Sequence, residues 1–458
     1  MDVIISSLQH AISAASGFLW GLPMMVLLLG THLYTTIRTR GIQRKLGLGL
    51  RMSVAKSKKS SGEISNFGAL SIALAATMGT GNIIGVGTAV ALGGPGAVFW
   101  CWITGVLGMA TKYAESLLAV KYRVRLTDGS LVGGAMVVLD RVLHRHWLAV
   151  FFCVATVCAA FGIGNMNQSN SVSLLMQQSF GLPQWVTGVT MALLVGAVVF
   201  GGLKVLSRSC EVLVPFMAAF YIIGCLLLLV FNFRFVDEAV HAILVSAFTG
   251  EAVGGGLVGG GLMLTMRYGL ARGMFSNEAG MGSTPIISAA AQTENAVKQA
   301  LVATTAVFWD TVVVCALTGL VVVTSVMAYP DIDYSQGAVL TNLAFSKLHP
   351  MGGWMLTVAL LIFSFSTILG WSYYAERCLA YLRVGKWLIA FRMIWLMAIF
   401  VGAVAHLQSV WDFADLANAL MAIPNIVVVL LLSGVVARDT ARYSSREHIN
   451  DIDDEMQQ

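Results

Sequence analysis

A run of poor helix formers lies inside a membrane-length apolar segment and constrains what the chain can fold into. The apolar segment covers residues 67–92, and its centre reads Gly79, Thr80, Gly81 and Asn82. Glycine costs a helix about 1 kcal/mol relative to alanine, so we expect the helix to open here. An opened helix is stable at membrane depth only where its free amides and carbonyls are buried in protein or line a polar cavity. The run therefore predicts a broken membrane helix that holds a small charged ligand or an ion.

Composition places the chain among integral membrane proteins. Its 458 residues are 57% hydrophobic and 11% charged, with a mean hydropathy of +0.79, whereas soluble domains carry about 25% charged residues. The net charge of +5 arises in short loops between apolar spans, so we expect a lipid bilayer as partner and no nucleic acid. The seven cysteines contain no C-x-x-C pair, which favours packing residues over a disulfide framework or a metal cluster.

Eleven stretches approach or exceed the roughly 20 apolar residues that a spanning helix needs. Basic residues cluster in every second loop, which predicts an outside N-terminus and a cytoplasmic C-terminus. The predicted spans one to eleven cover residues 16–37, 67–92, 96–120, 148–170, 184–202, 210–231, 262–291, 300–328, 353–382, 386–406 and 413–437.

Two further stretches have helical apolar spacing but are too short to span. Residues 42–52 mix basic and apolar side chains, and residues 235–248 place apolar side chains at helical intervals. We expect the first to lie on the cytoplasmic membrane surface and the second to lie on the outer surface as a helix or lid. The apolar face of the second stretch is predicted to comprise Val236, Val240, Ile243 and Leu244. The polar tail 447–458 is expected to be loosely attached.

Span seven contains a second break, residues 272–283, which read RGMFSNEAGMGS. Four unbroken spans separate the two breaks, and four follow the second. Because each unit then has five spans, an odd number, the two units enter the membrane in opposite senses. The spacing predicts an all-α integral membrane protein with a five-plus-five inverted repeat behind one extra N-terminal helix. The predicted segments are an N-terminal helix with its interfacial stretch (1–66), the first repeat (67–231), an extracytoplasmic amphipathic segment (232–261), the second repeat (262–437) and a cytoplasmic tail (438–458).

Polar side chains inside the predicted spans are candidates for function. A charge at mid-membrane costs at least about 2.5–3.5 kcal/mol, so Glu278 is expected either to pair with Arg272 or to contact an ion or substrate. Gln168 and Asn170 lie either at the outer end of span four, where the helix meets water, or in contact with the substrate. Asp310 is expected to face the bundle interior. Its role there is either structural hydrogen bonding or gating.

Two further polar pairs share helix faces. Lys112 and Glu115 are three residues apart, which predicts an ion pair near the cytoplasmic end of span three. Ser366 and Thr367 hydroxyls, with backbone carbonyls of span two, suit an all-oxygen Na⁺ site. The alternative for these two hydroxyls is a bond back to the preceding turn of their own helix.

Long motifs around both breaks resemble those of the alanine or glycine:cation symporter family. The motifs are GTGNIIGVGTAVALGGPGAVFWCWITGVLGMATKYAESLLAVKYR at residues 79–123 and ARGMFSNEAGMGS at residues 271–283. The resemblance extends from about span one to span eleven and implies a leucine-transporter-type fold. It also implies import of small neutral amino acids, chiefly alanine and glycine, with Na⁺ or sometimes H⁺. Some members of that family prefer glutamine or serine.

The resemblance also implies which residues form the sites. The backbone amides around Thr80 and Gly81 would bind the substrate carboxylate, and the bulky Trp371 would suit a substrate with a small side chain. The implied substrate-binding residues are Thr80, Gly81, Gln168, Phe275, Asn277, Thr367 and Trp371. The implied sodium ligands are the carbonyls of Ala75, Met78 and Phe363 and the hydroxyls of Ser366 and Thr367.

We therefore expect a Na⁺-coupled secondary transporter in a plasma membrane, the bacterial inner membrane, with no enzymatic activity and no cofactor. Glutamine or serine transport and H⁺ coupling remain open alternatives. A channel would need a continuous hydrated pore, against which the broken helices argue. An intramembrane metalloprotease would need a zinc-binding H-E-x-x-H motif, which the sequence lacks.

Overall fold

The computed structural model is built almost entirely from helices. It describes residues 2–55, 62–127, 129–249, 261–332, 337–405, 408–444 and 448–453. The helices before the second break are α1 (Asp2–Leu19), α2 (Leu22–Arg38), α3 (Leu46–Ser53), α4 (Asn66–Thr77), α5 (Val86–Gly93), α6 (Ala97–Lys121), α7 (Ala135–Arg141), α8 (His146–Phe161), α9 (Asn167–Phe180), α10 (Gln184–Val199), α11 (Gly202–Phe231), α12 (Val236–Thr249) and α13 (Gly261–Asn277).

The chain continues helically beyond the second break. A two-stranded antiparallel hairpin, β1 (Val124–Arg125) with β2 (Leu131–Val132), lies in the loop after α6. The remaining helices are α14 (Pro285–Ser288), α15 (Ala296–Val307), α16 (Ala316–Ala328), α17 (Gly337–Leu348), α18 (Pro350–Tyr381), α19 (Leu388–Val404), α20 (Gln408–Leu431) and α21 (Ser433–Tyr443). Short 3₁₀ turns cover Ile42–Lys45, Phe233–Phe235 and Gly385–Trp387.

Local sequence signals start several of these helices. The Ser65 hydroxyl accepts the Gly68 amide at 2.9 Å and caps α4. The Asn295 side chain accepts the Lys298 amide at 2.9 Å and caps α15 in the same way. Each cap satisfies an amide that has no partner inside its helix. Pro350 begins α18, where its missing amide costs nothing.

Three π-helical segments interrupt otherwise regular helices. They are Gly81–Gly85 after the first break, Gly162–Met166 between α8 and α9, and Phe308–Cys315 between α15 and α16. π segments are rare and occur frequently at functional sites. All three contribute residues to the region described below, although only the first was expected from the sequence to be irregular.

The described helices support a multi-pass membrane protein. Seven helical stretches, some of them formed by two helices in continuous sequence, are long and apolar enough to cross a bilayer. The bent pair of α4 with the segment from Gly81 to Gly93 makes an eighth. The other three predicted spans coincide with α6, which carries charges, and with α10 and α13, which have 16 and 17 residues. The total of eleven spans and the inverted repeat remain predictions.

The amphipathic stretch near residue 240 forms helix α12. Of the four apolar residues named from the spacing, Ile243 is buried, whereas Val240 and Leu244 are exposed. Ala239 and Ala247 are buried as well. Small residues face the bundle because the chain approaches closely there: a methyl group on Gly96 would lie 2.4 Å from the Ala247 amide nitrogen.

The stretch 42–52 is helical and packs against the protein through Gly49, where a methyl group would lie 2.5 Å from the Leu301 carbonyl oxygen. Its location at the membrane surface remains a prediction, but the prediction for the tail was wrong. Residues 448–453 of the tail are attached rather than loose. The Asn295 amide donates to the carbonyls of Ile449 and Asp451, each at 2.9 Å.

Candidate functional site

The first break opens the second predicted span by 53°. Helix α4 ends at Thr77, Met78 adopts an extended conformation, and the chain becomes helical again at Gly81. The Gly79 amide donates to the Asn82 side-chain oxygen at 2.8 Å. The backbone around the break is therefore held by a side chain rather than by helical hydrogen bonds, which leaves neighbouring carbonyls free for other partners.

Five oxygen atoms from the first break and α18 gather at one place. The Ser366 hydroxyl lies 2.8 Å from the Phe363 carbonyl oxygen and 3.4 Å from that of Ala75. The Thr367 hydroxyl lies 2.9 Å from the Phe363 carbonyl oxygen and 3.1 Å from that of Met78. These are the five groups that the resemblance implies as sodium ligands. Both hydroxyls bond back to the Phe363 carbonyl of their own helix, which is the alternative given above, and the sodium site remains a prediction.

Gln168 reaches the first break from the helix that follows the second π segment. Its side-chain oxygen accepts the Thr80 amide at 3.2 Å. Its nitrogen donates to the Thr80 hydroxyl at 3.1 Å and to the Ile163 carbonyl at 3.0 Å. Gln168 and Asn170 are both buried, which excludes the interpretation of this cluster as a solvated helix end. The Gln168 oxygen occupies the amide that the resemblance assigns to a substrate carboxylate.

Gly79 lies where two of these side chains meet the backbone. A methyl group added to Gly79 would lie 2.6 Å from the Thr367 hydroxyl and 3.2 Å from the Gln168 side-chain oxygen. A methyl group on Gly81 would meet the Phe275 ring at 3.4 Å, an ordinary contact. Gly79 is thus required for close approach at this point.

Trp371 borders the same region on α18. It is fully buried, and a methyl group on Gly164 would lie 2.3 Å from its Cβ atom. Within the described part of the chain, the indole nitrogen has no hydrogen-bond partner. A buried donor without a partner costs about 1–3 kcal/mol, so this nitrogen is suited to a ligand or a water molecule.

The Asn277 side chain is directed away from the first break. Its nitrogen approaches the Thr104 hydroxyl on α6 at 3.4 Å, and its oxygen accepts the Ala279 amide at 2.9 Å. Phe275, on the same helix, is half-buried and lies against Gly81. Of the seven implied substrate residues, Thr80 and Gly81 belong to the first break, and Gln168, Phe275 and Thr367 lie against it. Trp371 lies one turn beyond Thr367 on α18, beside Gly164. Asn277 bonds to Thr104 and to the backbone of the second break.

A buried network that sequence reasoning did not find links the two breaks. The Asp310 carboxylate accepts the Asn82 side-chain amide at 2.7 Å, the Ser276 hydroxyl at 2.9 Å and the Thr311 hydroxyl at 2.6 Å. Asn82 belongs to the first break, Ser276 to the second, and Asp310 lies in the third π segment. The polarity of Asp310 inside an apolar span was the available signal, but two of these three partners, Asn82 and Ser276, are more than 30 residues away along the chain.

The second break is closed by charged groups. Lys112 lies 3.4 Å from Glu115, and this confirms the predicted ion pair. The same ammonium group donates to the Glu278 carbonyl and to the Thr284 hydroxyl, each at 3.0 Å. All of these side chains are buried. Asn425 on α20 donates to the Glu115 carboxylate at 2.7 Å and joins that helix to the cluster.

The predicted pairing of Glu278 with Arg272 was wrong. The Glu278 carboxylate accepts hydrogen bonds from Ser283 at 2.5 Å and from Thr284 at 3.4 Å, because the left-handed backbone of Glu278 turns the chain back on itself. Arg272 lies instead in the wall of a cavity.

A cavity of about 480 Å³ connects the first break with one end of the bundle. Thr80 and Gly81 lie at its inner limit, and Leu92 and Gln178 line it near the ends of α5 and α9. These helix ends belong to the face that the basic loops predict to be outside. The cavity therefore leads to the first break from the predicted outer face.

The cavity wall carries charges of both signs. Arg272 projects from α13, and Asp412 and Asp415 project from α20. The positive charge of Arg272 attracts the Asp415 carboxylate, whereas the negative charge of Asp412 repels it. A wall with both signs suits a solute that itself carries both, because neither charge is repelled uniformly.

Comparison with known proteins identifies the family. Residues 5–458 match the sodium:alanine symporter family. The sodium/alanine symporter AgcS of Methanococcus maripaludis is 45% identical over 94% of this chain and 96% of its own length. A protein of Haemophilus influenzae described as an uncharacterized transporter is 44% identical over 98% of both chains. The probable sodium/glutamine symporter GlnT of Bacillus subtilis is 36% identical over 94% of this chain and 89% of its own. The chain therefore belongs to the sodium:alanine symporter family, whose members are transporters and not enzymes.

Proposed function

We propose that the protein imports alanine and glycine across the plasma membrane, the bacterial inner membrane, by Na⁺ symport with alternating access. The observation that carries the proposal is the cluster of five oxygens at the first break. Three carbonyls and two hydroxyls, all uncharged, form a ligand set that hard cations favour. The cluster joins the opened helix to α18, so an ion bound there would hold the two elements together.

Sodium would bind between Ala75 and Met78 on one side and Phe363, Ser366 and Thr367 on the other. Each hydroxyl would turn its proton away and present a lone pair to the ion. Without the ion the same hydroxyls satisfy the carbonyls, so the cluster avoids unpaired groups in both conditions.

The amino acid would bind beside this ion. Its carboxylate would replace the Gln168 oxygen at the Thr80 amide, and the freed Gln168 side chain would contact the backbone of the amino acid. Trp371 would limit the side chain, because its Cβ already touches Gly164 and leaves little room. A small neutral substrate fits these limits.

Coupling would follow from the shared break. Sodium stabilises the opened conformation of residues 78–80, and this conformation presents the Thr80 amide to the substrate. Each ligand then raises the affinity for the other by the same factor. The inverted repeat would move one five-helix unit against the other and expose the site alternately to the two faces.

Uptake of labelled L-alanine into proteoliposomes tests the proposal. An inward Na⁺ gradient should drive accumulation, and K⁺ in place of Na⁺ should abolish it at fixed pH. We expect Thr367→Ala and Ser366→Ala to raise the half-saturating Na⁺ concentration at least tenfold. Ser372→Ala is the matched control, because Ser372 is a buried serine on α18 whose hydroxyl, among the residues described, donates to the Leu369 carbonyl of its own helix alone. Unchanged Na⁺ dependence in both site variants would show that the ion binds elsewhere.

Glutamine is the second candidate substrate, because a relative at 36% identity is described as a probable sodium/glutamine symporter. Competition of alanine uptake by glycine, serine and glutamine separates the candidates. We expect glycine to compete and glutamine to fail. Trp371→Phe should then admit serine, because a phenyl ring is smaller than an indole ring. Accumulation driven by a proton gradient without Na⁺ would favour H⁺ coupling instead.

A further inference from the structure

A second and larger cavity lies at the opposite face of the bundle, away from both breaks. It has a volume of about 1290 Å³ and is bordered by the loop after α6 and by the ends of α10, α18 and α19. The basic loops predict this face to be cytoplasmic. Its cationic side chains are Arg125, Arg141, Arg377, Arg383, Lys386 and Arg392.

The two carboxylates that line this cavity are already engaged. Glu376 accepts a two-pronged pair from Arg392, at 2.7 and 2.9 Å. Asp140 accepts the Tyr381 hydroxyl at 2.7 Å and lies 3.1 Å from His146. The cavity therefore keeps an excess of positive charge after its internal pairs are formed.

Arg383 and Lys386 supply part of the accessible positive charge. Both side chains are exposed, and no ion pair within the described ranges includes either of them. They lie in the turn that joins α18 to α19, three residues apart. Arg125 and Arg141 are also exposed and line the cavity. Four exposed arginine and lysine side chains thus line one cavity.

Part of the cavity wall is apolar. Val199, Leu203, Leu206 and Leu388 contribute to it. Phe200, next to Val199 in the chain, is 47% exposed. Basic and apolar side chains in one cavity match the two parts of a phospholipid, its phosphate and its acyl chains.

Exposed tryptophans mark the level of this opening in the membrane. Trp147 and Trp387 are 68% and 60% exposed, and each follows directly after a residue that lines the cavity. Tryptophan is enriched at the level of the lipid headgroups. The cationic rim therefore lies where a headgroup phosphate would be.

We propose that this cavity binds an anionic glycerophospholipid, with the phosphodiester held by Arg383, Lys386 and Arg141 and the acyl chains against α10 and α11. Basic pockets between membrane helices on the cytoplasmic side bind anionic headgroups in this way. Basic loops alone follow from the rule that orients membrane proteins. That rule accounts for cations on this face but not for their convergence on one amphipathic cavity.

Lipid retention by the full-length protein tests the proposal. The protein is placed in nanodiscs of phosphatidylcholine with phosphatidylglycerol, and the bound lipids are counted by native mass spectrometry after release. Wild type should retain phosphatidylglycerol in preference to phosphatidylcholine. Arg383→Gln with Lys386→Gln should lower that preference about 30-fold, because each basic contact near an anionic surface contributes a factor of roughly five.

Two variants control for charge and for folding. Arg38→Gln with Arg51→Gln removes the same charge from exposed positions on the same predicted face but outside the cavity, and it should retain the lipid. Arg383→Lys with Lys386→Arg keeps both charges and should also retain it. The proposal would be overturned if the Arg38 and Arg51 variant lost its preference for phosphatidylglycerol as much as the Arg383 and Lys386 variant does. It would also be overturned if the wild type showed no lipid preference.

A soluble ligand is distinguished by competition. Millimolar glycerol 3-phosphate should leave phosphatidylglycerol bound, because the free ester lacks the acyl chains. Displacement by the ester would overturn the lipid assignment and identify a soluble phosphate site instead. The readout does not involve uptake, so its result is independent of the proposed transport function.

Discussion

The two breaks use glycine for different physical reasons. At the first break Gly79 has an ordinary backbone conformation, and a side chain is excluded because Thr367 and Gln168 approach within 2.6 and 3.2 Å of the Cβ position. At the second break Gly280 and Gly282 have φ angles of +88° and +82°, which other residues rarely adopt. Glycine is needed at the first break because side chains of other helices pack closely against it. At the second break it is needed because the backbone itself adopts positive φ angles.

The polar groups at the two breaks also differ. The first break is contacted mainly by uncharged amides, hydroxyls and carbonyls, with the Asp310 carboxylate at Asn82 as a charged partner, and the cavity reaches it. The second is filled by Lys112, Glu115 and Glu278, whose groups bond to one another and to neighbouring backbone. Groups that can exchange partners at low cost suit a ligand site. Buried charges that already have partners suit closure of the other face in this conformation.

Loss of Lys112 should have the largest effect. Lys112→Met leaves Glu115 buried without its cation, and removing one partner of a buried pair typically costs about 3–5 kcal/mol. We expect most of the variant protein to be unfolded or aggregated, as measured by size-exclusion chromatography and thermal unfolding in detergent.

The matched control is Lys347→Met. Lys347 pairs with Asp331 at 3.3 Å with both side chains largely exposed, and such pairs contribute about 0–1 kcal/mol. Similar stability of the two variants would mean that the charges of the second break do not hold it closed.

Asp310→Asn should separate the two breaks without unfolding the protein. The asparagine side chain has a single uncharged oxygen, so Asn82 or Ser276 loses its charged acceptor. Hydrogen bonds to charged groups contribute about 1.5–3 kcal/mol. We expect alanine binding to weaken about 10- to 100-fold in a scintillation proximity assay, with little change in the unfolding temperature. Asp331→Asn, at an exposed position, is the control. Wild-type affinity in Asp310→Asn would show that the first break orients itself without this network.

A reciprocal pair of glycine variants tests the comparison directly. Gly280→Ala forces alanine into a left-handed conformation and should lower the free energy of unfolding by about 1–2 kcal/mol, with unchanged Na⁺ dependence of uptake. Gly79→Ala should raise the half-saturating Na⁺ concentration, because the new methyl group displaces Thr367, and should change stability less. If both variants altered only stability, the distinction between a ligand site and a structural turn would be lost.

Phe275→Leu should have the smallest effect. Phe275 is the side chain of α13 that lies against Gly81 and lines the cavity. Replacement of one apolar side chain by another of similar volume usually costs less than about 1.5 kcal/mol. We expect alanine affinity to fall less than about tenfold in the same binding assay. A larger loss would mean that the ring participates in closing the site.

Sequence reasoning located the elements of the site better than their contacts. The positions of both breaks follow from local helix propensity, and the Lys112–Glu115 pair follows from spacing on one helix. The direction of the Asn277 side chain toward Thr104 does not, because it depends on how α13 packs on α6. The partner of Glu278 was missed for the same reason, since a turn of the backbone and not helical spacing determines it.

The sequence by itself determined the membrane class, the family and the places where two helices must open, because composition and helix propensity act over short stretches of chain. Only the tertiary structure decided which groups meet. It brought Ser366 and Thr367 to the carbonyls of α4, and it joined Asn82 to Asp310 across 228 residues. Hydrogen bonds require atoms within about 3 Å of one another, and that proximity arises only when distant helices pack together.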